Sequence, residues 1–386
     1  MNRKRKHEKI RLAFVGGAIN SAVGRAHFVS SQMDGMFQLV AGCFSRNKNI
    51  NIESGYVYGV PENRIYFSLE DLIHDEKNNI DAIVILTPQD QHINQLEKCV
   101  TKGIPVICEK ALVSNLDEVV LLRDLYRKYG GFLRVTYNYT GYPIVREIRE
   151  IIRKGILGKI QQVKIEMPQE GFLKKNVDGN PVVPQNWRLY DGSIPTISLD
   201  LGIHVHHLVD FLIQEKPIKL VAHAANYGNF KGIVDNINVL ANYTNDVFVN
   251  IWYSKTALGN RNGLKFYIYG ERGAVEWQQE RPEIFYLYKD TGERSILDRG
   301  NAGIFCANDV VYSRFKVGHP AGYIEAFANY YCDIAKDLFA FWEDKKDRKG
   351  PYVFGLDESI EGLVFLSSVS RSIAEGKWVK VPENVL

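Results

Sequence analysis

Apolar positions follow two different rules along the chain. Up to residue 137 they come as short continuous runs, at residues 12–15, 37–44, 81–86, 105–108 and 132–137. Unalternating runs of that length suit strands buried on both faces. Between them lie stretches with helical spacing: 23–33 carries Val23, Ala26 and Val29, and 91–102 carries Ile93, Leu96 and Val100. Shorter helical candidates occupy 52–59 and 69–74, and a longer one 116–129. Strands and helices in turn imply right-handed crossovers and a parallel sheet.

After residue 137 the rule changes. A helix over 144–154 precedes an alternation over 160–167, where Val163, Ile165 and Met167 oppose Gln162, Lys164 and Glu166. Alternation returns at 237–243, 247–253 and 264–269, with a hairpin expected around Thr244-Asn245-Asp246. That pattern predicts a mostly antiparallel open sheet with one buried face. Two helices close the chain, one along Phe327, Tyr331, Ile334 and Leu338 and one along Ile360, Leu363, Val364 and Ser367. Residues 171–195, with their glycines and prolines, form a long irregular stretch of the kind used as a lid or binding loop. The expected fold is α/β. A Rossmann dinucleotide-binding domain over 10–137 follows a disordered basic tail at 1–9, and an α+β domain covers 138–386, its final helices able to pack back on the first.

Composition narrows the functional classes. The 386 residues leave room for two cores, and 45% hydrophobic with 24% charged residues is ordinary for a globular protein. A net charge of +3 makes no case for nucleic acid, and the cluster Arg3-Lys4-Arg5-Lys6 reads as a solvated end. No run approaches the roughly 18 apolar residues of a membrane span, and residues 10–15 are too short for a secretory core. The five cysteines are scattered without C-x-x-C spacing, which suits small core side chains in a reducing compartment. The expectation is a cytoplasmic protein without a metal site.

Ligands of parallel sheets sit beyond the C-terminal strand ends, so those positions hold the candidates. The first run breaks into Gly16-Gly17-Ala18-Ile19-Asn20 before the first helix. Small residues let a backbone approach a pyrophosphate, and a helix N-terminus offers it N–H groups. The spacing is not G-x-G-x-x-G, since Gly24 comes late, and an ordinary strand-to-helix turn is the alternative. Ser45-Arg46 follows the second strand, where an acid would hold the ribose of NAD. A hydroxyl with a guanidinium suits the 2′-phosphate of NADP, so the cofactor is NAD or NADP with a lean to NADP. Thr87, Pro88 and Gln89 should face the cofactor, and His92 either contacts it or packs. Glu109-Lys110 ends another strand, where a lysine beside an acid is a candidate catalytic cation or a plain surface lysine. In Asp200-Leu201-Gly202-Ile203-His204, a helix would put Asp200 and His204 on one face. His204 and His207 could pair on a metal, but no glutamate-bearing zinc pattern accompanies them.

Taken together, these stretches resemble the glucose-fructose oxidoreductase / inositol dehydrogenase (Gfo/Idh/MocA) family over nearly the whole chain after the tail. Asn138-Tyr139-Thr140-Gly141-Tyr142-Pro143, Gly155-Ile156-Leu157-Gly158, Trp187-Arg188 and Tyr269-Gly270-Glu271-Arg272-Gly273 extend the likeness. Gly24-Arg25-Ala26-His27 and Gly318-His319-Pro320 look like one branch of that family. The resemblance implies a catalytic group of Lys110, Asp200 and His204. Ala111 stands where the family usually has proline, Gln89 where asparagine is common, and Ile194-Pro195-Thr196-Ile197-Ser198 where glycines often precede the aspartate.

The activity so implied is NAD(P)-dependent oxidation of a secondary alcohol on a sugar or polyol. A neutral imidazole, with an ordinary pKa of about 6.5, suits His204 to take the hydroxyl proton. Lys110 would stabilise the alkoxide, Asp200 would orient the substrate or Lys110, and Arg188, Tyr139 and Tyr142 would bind hydroxyls or serve the fold. A homodimer or homotetramer through the open sheet is also implied, with Phe248, Trp252 and Tyr253 as its candidate face. Two other classes fit the same fold: a redox-neutral enzyme that oxidises transiently with tightly held NAD, and a non-catalytic dinucleotide-binding sensor. A sensor has no need of the catalytic trio.

Overall fold

In the computed structural model, which describes residues 9–312, 314–344 and 349–383, the run Leu12-Ala13-Phe14-Val15 is the middle of β1 (Ile10–Gly16) and is at most 2% exposed. The basic cluster at Arg3–Lys6 lies outside the described residues. After β1 come α1 (Ala22–Gln32), β2 (Phe37–Cys43), α2 (Lys48–Val57), α3 (Leu69–Glu76) and β3 (Ala82–Leu86). Then follow α4 (His92–Val100), β4 (Val106–Cys108), α5 (Leu116–Tyr129) and β5 (Leu133–Val135). Side-chain oxygens of Asn47, Ser68 and Asn115 cap α2, α3 and α5, satisfying N–H groups that a helix start leaves without partners. The strands form a parallel sheet in the order β2-β1-β3-β4-β5. Strand order reverses between β1 and β3, which is where such sheets open a crevice.

The second unit begins at Tyr142. Its α6 (Pro143–Arg153) leads into β6 (Ile160–Pro168) and the long stretch at 171–195, which is mostly irregular. A π turn at Ser198–Gly202 then opens α7 (Ile203–Ile213). Seven strands follow: β7 (Pro217–Ala225), β8 (Asn236–Tyr243), β9 (Phe248–Ser254), β10 (Lys265–Gly270), β11 (Gly273–Gln278), β12 (Ile284–Lys289) and β13 (Arg294–Asp298). Thr244–Asp246 makes the hairpin between β8 and β9, with Asn245 and Asp246 at φ 55° and 61°. Val163, Ile165 and Met167 are buried on one face of the sheet, while Lys164 on the other is exposed. Tyr253 belongs to the buried face and is 0% exposed, so the exposed aromatic face holds Phe248 and Trp252 without it. Alternation along β9 dictates that separation.

The chain then returns to the first unit. α8 (Tyr323–Asp344) belongs there, and its Phe327, Ala328, Tyr331, Ile334 and Leu338 are at most 2% exposed. The first unit runs on to Gly141, past the expected boundary at 137, because the turn at Asn138–Gly141 packs on α8. A Cβ at Gly141 would lie 1.9 Å from the Ala326 carbonyl oxygen, so only glycine permits that approach. Arg134 and Asp337, both buried, close an ion pair at 2.6 Å. Last come α9 (Leu356–Glu375) and β14 (Val379–Lys380), which pairs with β7. That edge completes a nine-stranded sheet, β13-β12-β11-β10-β6-β9-β8-β7-β14, antiparallel except between β6 and β9.

Candidate active site

In the first unit, β1 ends with Gly16 beside Leu86 of β3, and Gly16 and Gly17 take φ values of 81° and 72°. Gly24 in α1 lies against that turn. A Cβ on it would sit 2.0 Å from the Gly17 carbonyl oxygen. The late glycine therefore serves close packing of helix on loop, the third role that glycine plays in such turns. Tyr58 donates its hydroxyl to the Gly17 carbonyl at 2.9 Å, and the Ile19 N–H donates to Ser54 Oγ at 3.1 Å. Ala18 is buried and Asn20 exposed. A short positive-φ loop leading into an eleven-residue helix fits a pyrophosphate.

Beyond β2, Asn51 is fully buried and its Oδ1 accepts from the Phe44 and Ser45 N–H groups at 2.6 and 3.1 Å. That fixes the turn carrying half-buried Ser45 and exposed Arg46. Beyond β3, the Thr87 hydroxyl donates to Gln95 at 2.7 Å, and Pro88 and Gln89 are half-buried. His92 faces inward. It is 0% exposed, with Nε2 at 2.8 Å from the Thr87 carbonyl and Nδ1 at 3.1 Å from those of Ala111 and Leu112. Both ring nitrogens thus face main-chain carbonyls, and the one that carries the proton donates. His92 ties the turn after β3 to the turn after β4 rather than presenting a surface to a ligand, and burial lowers its pKa.

Glu109 and Lys110 follow β4 directly, and the Lys110–Ala111 peptide bond is cis. Glu109 Oε1 accepts from the Thr136 hydroxyl and lies 2.8 Å from His27 Nε2. Burial works to raise the Glu109 pKa, but the His27 contact, the Lys110 charge and Thr136 bring it below the usual carboxylate range. Tyr139, also in this unit, is 6% exposed and meets the Tyr323 ring edge-on.

In the second unit, Asp200 lies in the π turn and His204 in the first turn of α7, 6% and 8% exposed. π turns inside helices recur at functional sites. Gly202 permits this one: a Cβ there would lie 2.9 Å from the Tyr253 ring. Asp200 Oδ2 pairs with Lys255 Nζ at 2.8 Å and with Arg188 Nε at 3.1 Å. Lys255, itself buried, also donates to Gln169 Oε1 at 3.0 Å. Sequence reasoning missed both Lys255 and Gln169, whose signal is only a polar residue just past a strand end. For Tyr142 the packing fits the second of its two expected roles, serving the fold. It is 2% exposed, packs on Trp277 and receives a hydrogen bond from Gln279 at 3.2 Å, so it is part of the core. His207 points at α9, where a Cβ on Gly362 would sit 3.1 Å from its Nε2. A groove of about 520 Å³ at the other end of α7, lined by Arg149, Lys159 and Glu215, brings none of the predicted residues together.

A family model described as an oxidoreductase family with an NAD-binding Rossmann fold matches residues 10–137, and one described as the GFO/IDH/MocA C-terminal domain matches 145–276. The crystal structure of an oxidoreductase from Sinorhizobium meliloti is 30% identical, covering 97% of this chain and 100% of that one with a TM-score of 0.83. An inositol dehydrogenase homolog from Azotobacter vinelandii, complexed with NADH and myo-inositol, is 26% identical over 97% of this chain and 98% of its own, TM-score 0.87. Oxidoreductase YfiI of Bacillus subtilis is 27% identical over 96% of both chains.

Proposed function

The chain belongs to the Gfo/Idh/MocA family of NAD-binding oxidoreductases, and on that premise we propose that it reversibly oxidises a secondary alcohol of a sugar or polyol to the ketone. The observation that carries this reading is buried Asp200, on the turn that leads into His204, paired with the buried Lys255 and the half-buried Arg188. A polar cluster so costly to bury serves chemistry better than packing.

The glycine turn and the first turn of α1 would hold the pyrophosphate of the dinucleotide, with Ser45, Arg46, Thr87, Pro88 and Gln89 along its length. When bound, the nicotinamide supplies the hydride acceptor. His204 accepts the hydroxyl proton of the substrate, and the Lys110 ammonium stabilises the oxygen that is left negative. Asp200, paired with Lys255 and Arg188, orients the substrate hydroxyls as an acceptor. A panel of sugars and polyols, myo-inositol among them, tests the reading with NAD and NADP offered separately. Absence of reduced dinucleotide with every member would sink it.

Two substitutions probe the parts. Arg46→Ala is expected to raise the KM for NADP roughly tenfold and to leave that for NAD unchanged, as loss of one charged hydrogen bond predicts. Equal effects on both cofactors would remove Arg46 from phosphate recognition. Lys255→Met, which keeps the length of the side chain, is expected to lower kcat/KM roughly 10- to 100-fold, because Asp200 then loses a cation held at 2.8 Å. Unchanged steady-state kinetics would take Lys255 out of the site.

A further inference from the structure

Lys255 is 6% exposed, and its main chain is fixed on both sides. Its N–H donates to the Asp235 carbonyl at 2.8 Å, and its own carbonyl accepts from the Phe172 N–H at 2.9 Å. The side chain is less constrained. An ammonium on a flexible four-carbon stem can swing about a single carboxylate oxygen and keep its ion pair. A second acceptor in a set direction removes that freedom, and Gln169 Oε1 supplies one at 3.0 Å. Gln169 directly follows β6, and its main chain is tied to those of Ser254 and Ala257. Its amide nitrogen donates to Asn262 Oδ1 at 2.9 Å, and Asn262 donates to Gln279 Oε1. Gln279 in turn donates to the hydroxyl of buried Tyr142 at 3.2 Å.

These contacts run one way only. An ammonium has three donors and no acceptor, so the oxygen of Gln169 must face it. The nitrogen of Gln169 is then left for Asn262, which must answer with its oxygen, and the same choice passes on to Gln279. The series ends on a phenol, which can accept what the last amide offers. A reversed Gln169 would aim an NH2 group at the ammonium. Segments far apart in sequence contribute: the end of β6, the connection from β9 to β10, the residue after β11 and the residue before α6. We propose that Gln169 is a positioning residue: Asn262, Gln279 and Tyr142 lock its amide with the oxygen toward Lys255, and that oxygen fixes the ammonium against Asp200. The proposal rests on the reading of Asp200 as the group that orients the substrate. It also gives the packed ring of Tyr142 a part in the site, as the far end of that support.

Crystal structures of the full-length protein test this without substrate. Gln169→Met keeps the length of the side chain but offers Lys255 no oxygen, and Lys255 Nζ is expected to leave its single place and spread over several positions around Asp200. Gln169→Glu keeps an acceptor toward Lys255, and the ammonium is expected to stay where it is in the wild type. Asn262→Ala leaves Gln169 without its lock and is expected to loosen both Gln169 and Lys255. An ordered Lys255 at the wild-type place in Gln169→Met overturns the proposal, and if that variant fails to fold, ordered Gln169 and Lys255 side chains in Asn262→Ala do so. Kinetics give the second readout. Gln169→Met is expected to lower kcat/KM about tenfold, as loss of one hydrogen bond to a charged group predicts, and to cost nothing further in a Lys255→Met background. A merely structural loss would multiply, so equal losses in the two backgrounds also overturn the proposal. If Lys255 moves in the crystals while Gln169→Met and Asp200→Asn keep wild-type turnover, the positioning of Lys255 stands and the reading of Asp200 falls.

Discussion

His204→Ala is expected to lower kcat by roughly 10²- to 10⁴-fold, the range that a positioned general base contributes. Lys110→Ala should cost about 10²- to 10³-fold, since it removes a charge aimed at oxygen that becomes negative only as the reaction proceeds. In both variants the dissociation constant for NADH, read by fluorescence, should stay near the wild-type value, because neither change touches the glycine turn. The double variant carries the sharper information. If base and cation act in one step, its loss falls well short of the product of the two single losses. Full multiplicativity would separate them into different steps, and a single variant with wild-type turnover would remove that residue from the mechanism.

Gly24→Ala has the largest expected effect on the fold. Its Cβ would lie 2.0 Å from the carbonyl oxygen and 2.4 Å from the carbonyl carbon of Gly17, so backbone must part from backbone. No rotamer relieves that. We expect about 3 kcal/mol of destabilisation and loss of measurable NADH binding, since the loop that moves is the one offered to the pyrophosphate. Gly35→Ala is the control. Gly35 also has a positive φ, 69°, but a Cβ there meets nothing within 4 Å, so only conformational strain of about 1 kcal/mol is at issue. Thermal unfolding with and without NADH separates the two. Equal melting temperatures for Gly24→Ala and Gly35→Ala would show that close approach at the turn is unimportant.

The parallel half was legible because its strands are buried on both faces and leave continuous apolar runs. β10 and β6 announced themselves by alternation, but β7 and β11 to β13 did not. β7 spells Pro-Ile-Lys-Leu-Val-Ala-His-Ala-Ala, where alanines blur the period, and β12 and β13 are mostly half-exposed, so their polar and apolar residues need not alternate strictly. At the site, Glu109, Lys110, Asp200 and His204 stood out because each lies at an element's end within a motif. Lys255 lies 55 residues from its partner Asp200 and Tyr331 lies 304 from its partner His27, and neither carries a local pattern. Tyr142 was left open between two roles for a related reason: a tyrosine beside a motif looks polar in sequence, and only the structure shows its ring packed against Trp277.

The return of α8 to the first unit bears on how the protein is made. A nascent chain translated as far as residue 141 has every strand of the parallel sheet, yet it lacks the helix that covers His27 and Phe37. Those side chains stay bare on the ribosome while the next 181 residues, the whole insertion up to Gly322, emerge. The nucleotide-binding half is therefore the first begun and among the last completed, and for that interval it depends on the cell's chaperones, or on sheer speed of synthesis, to stay out of aggregates.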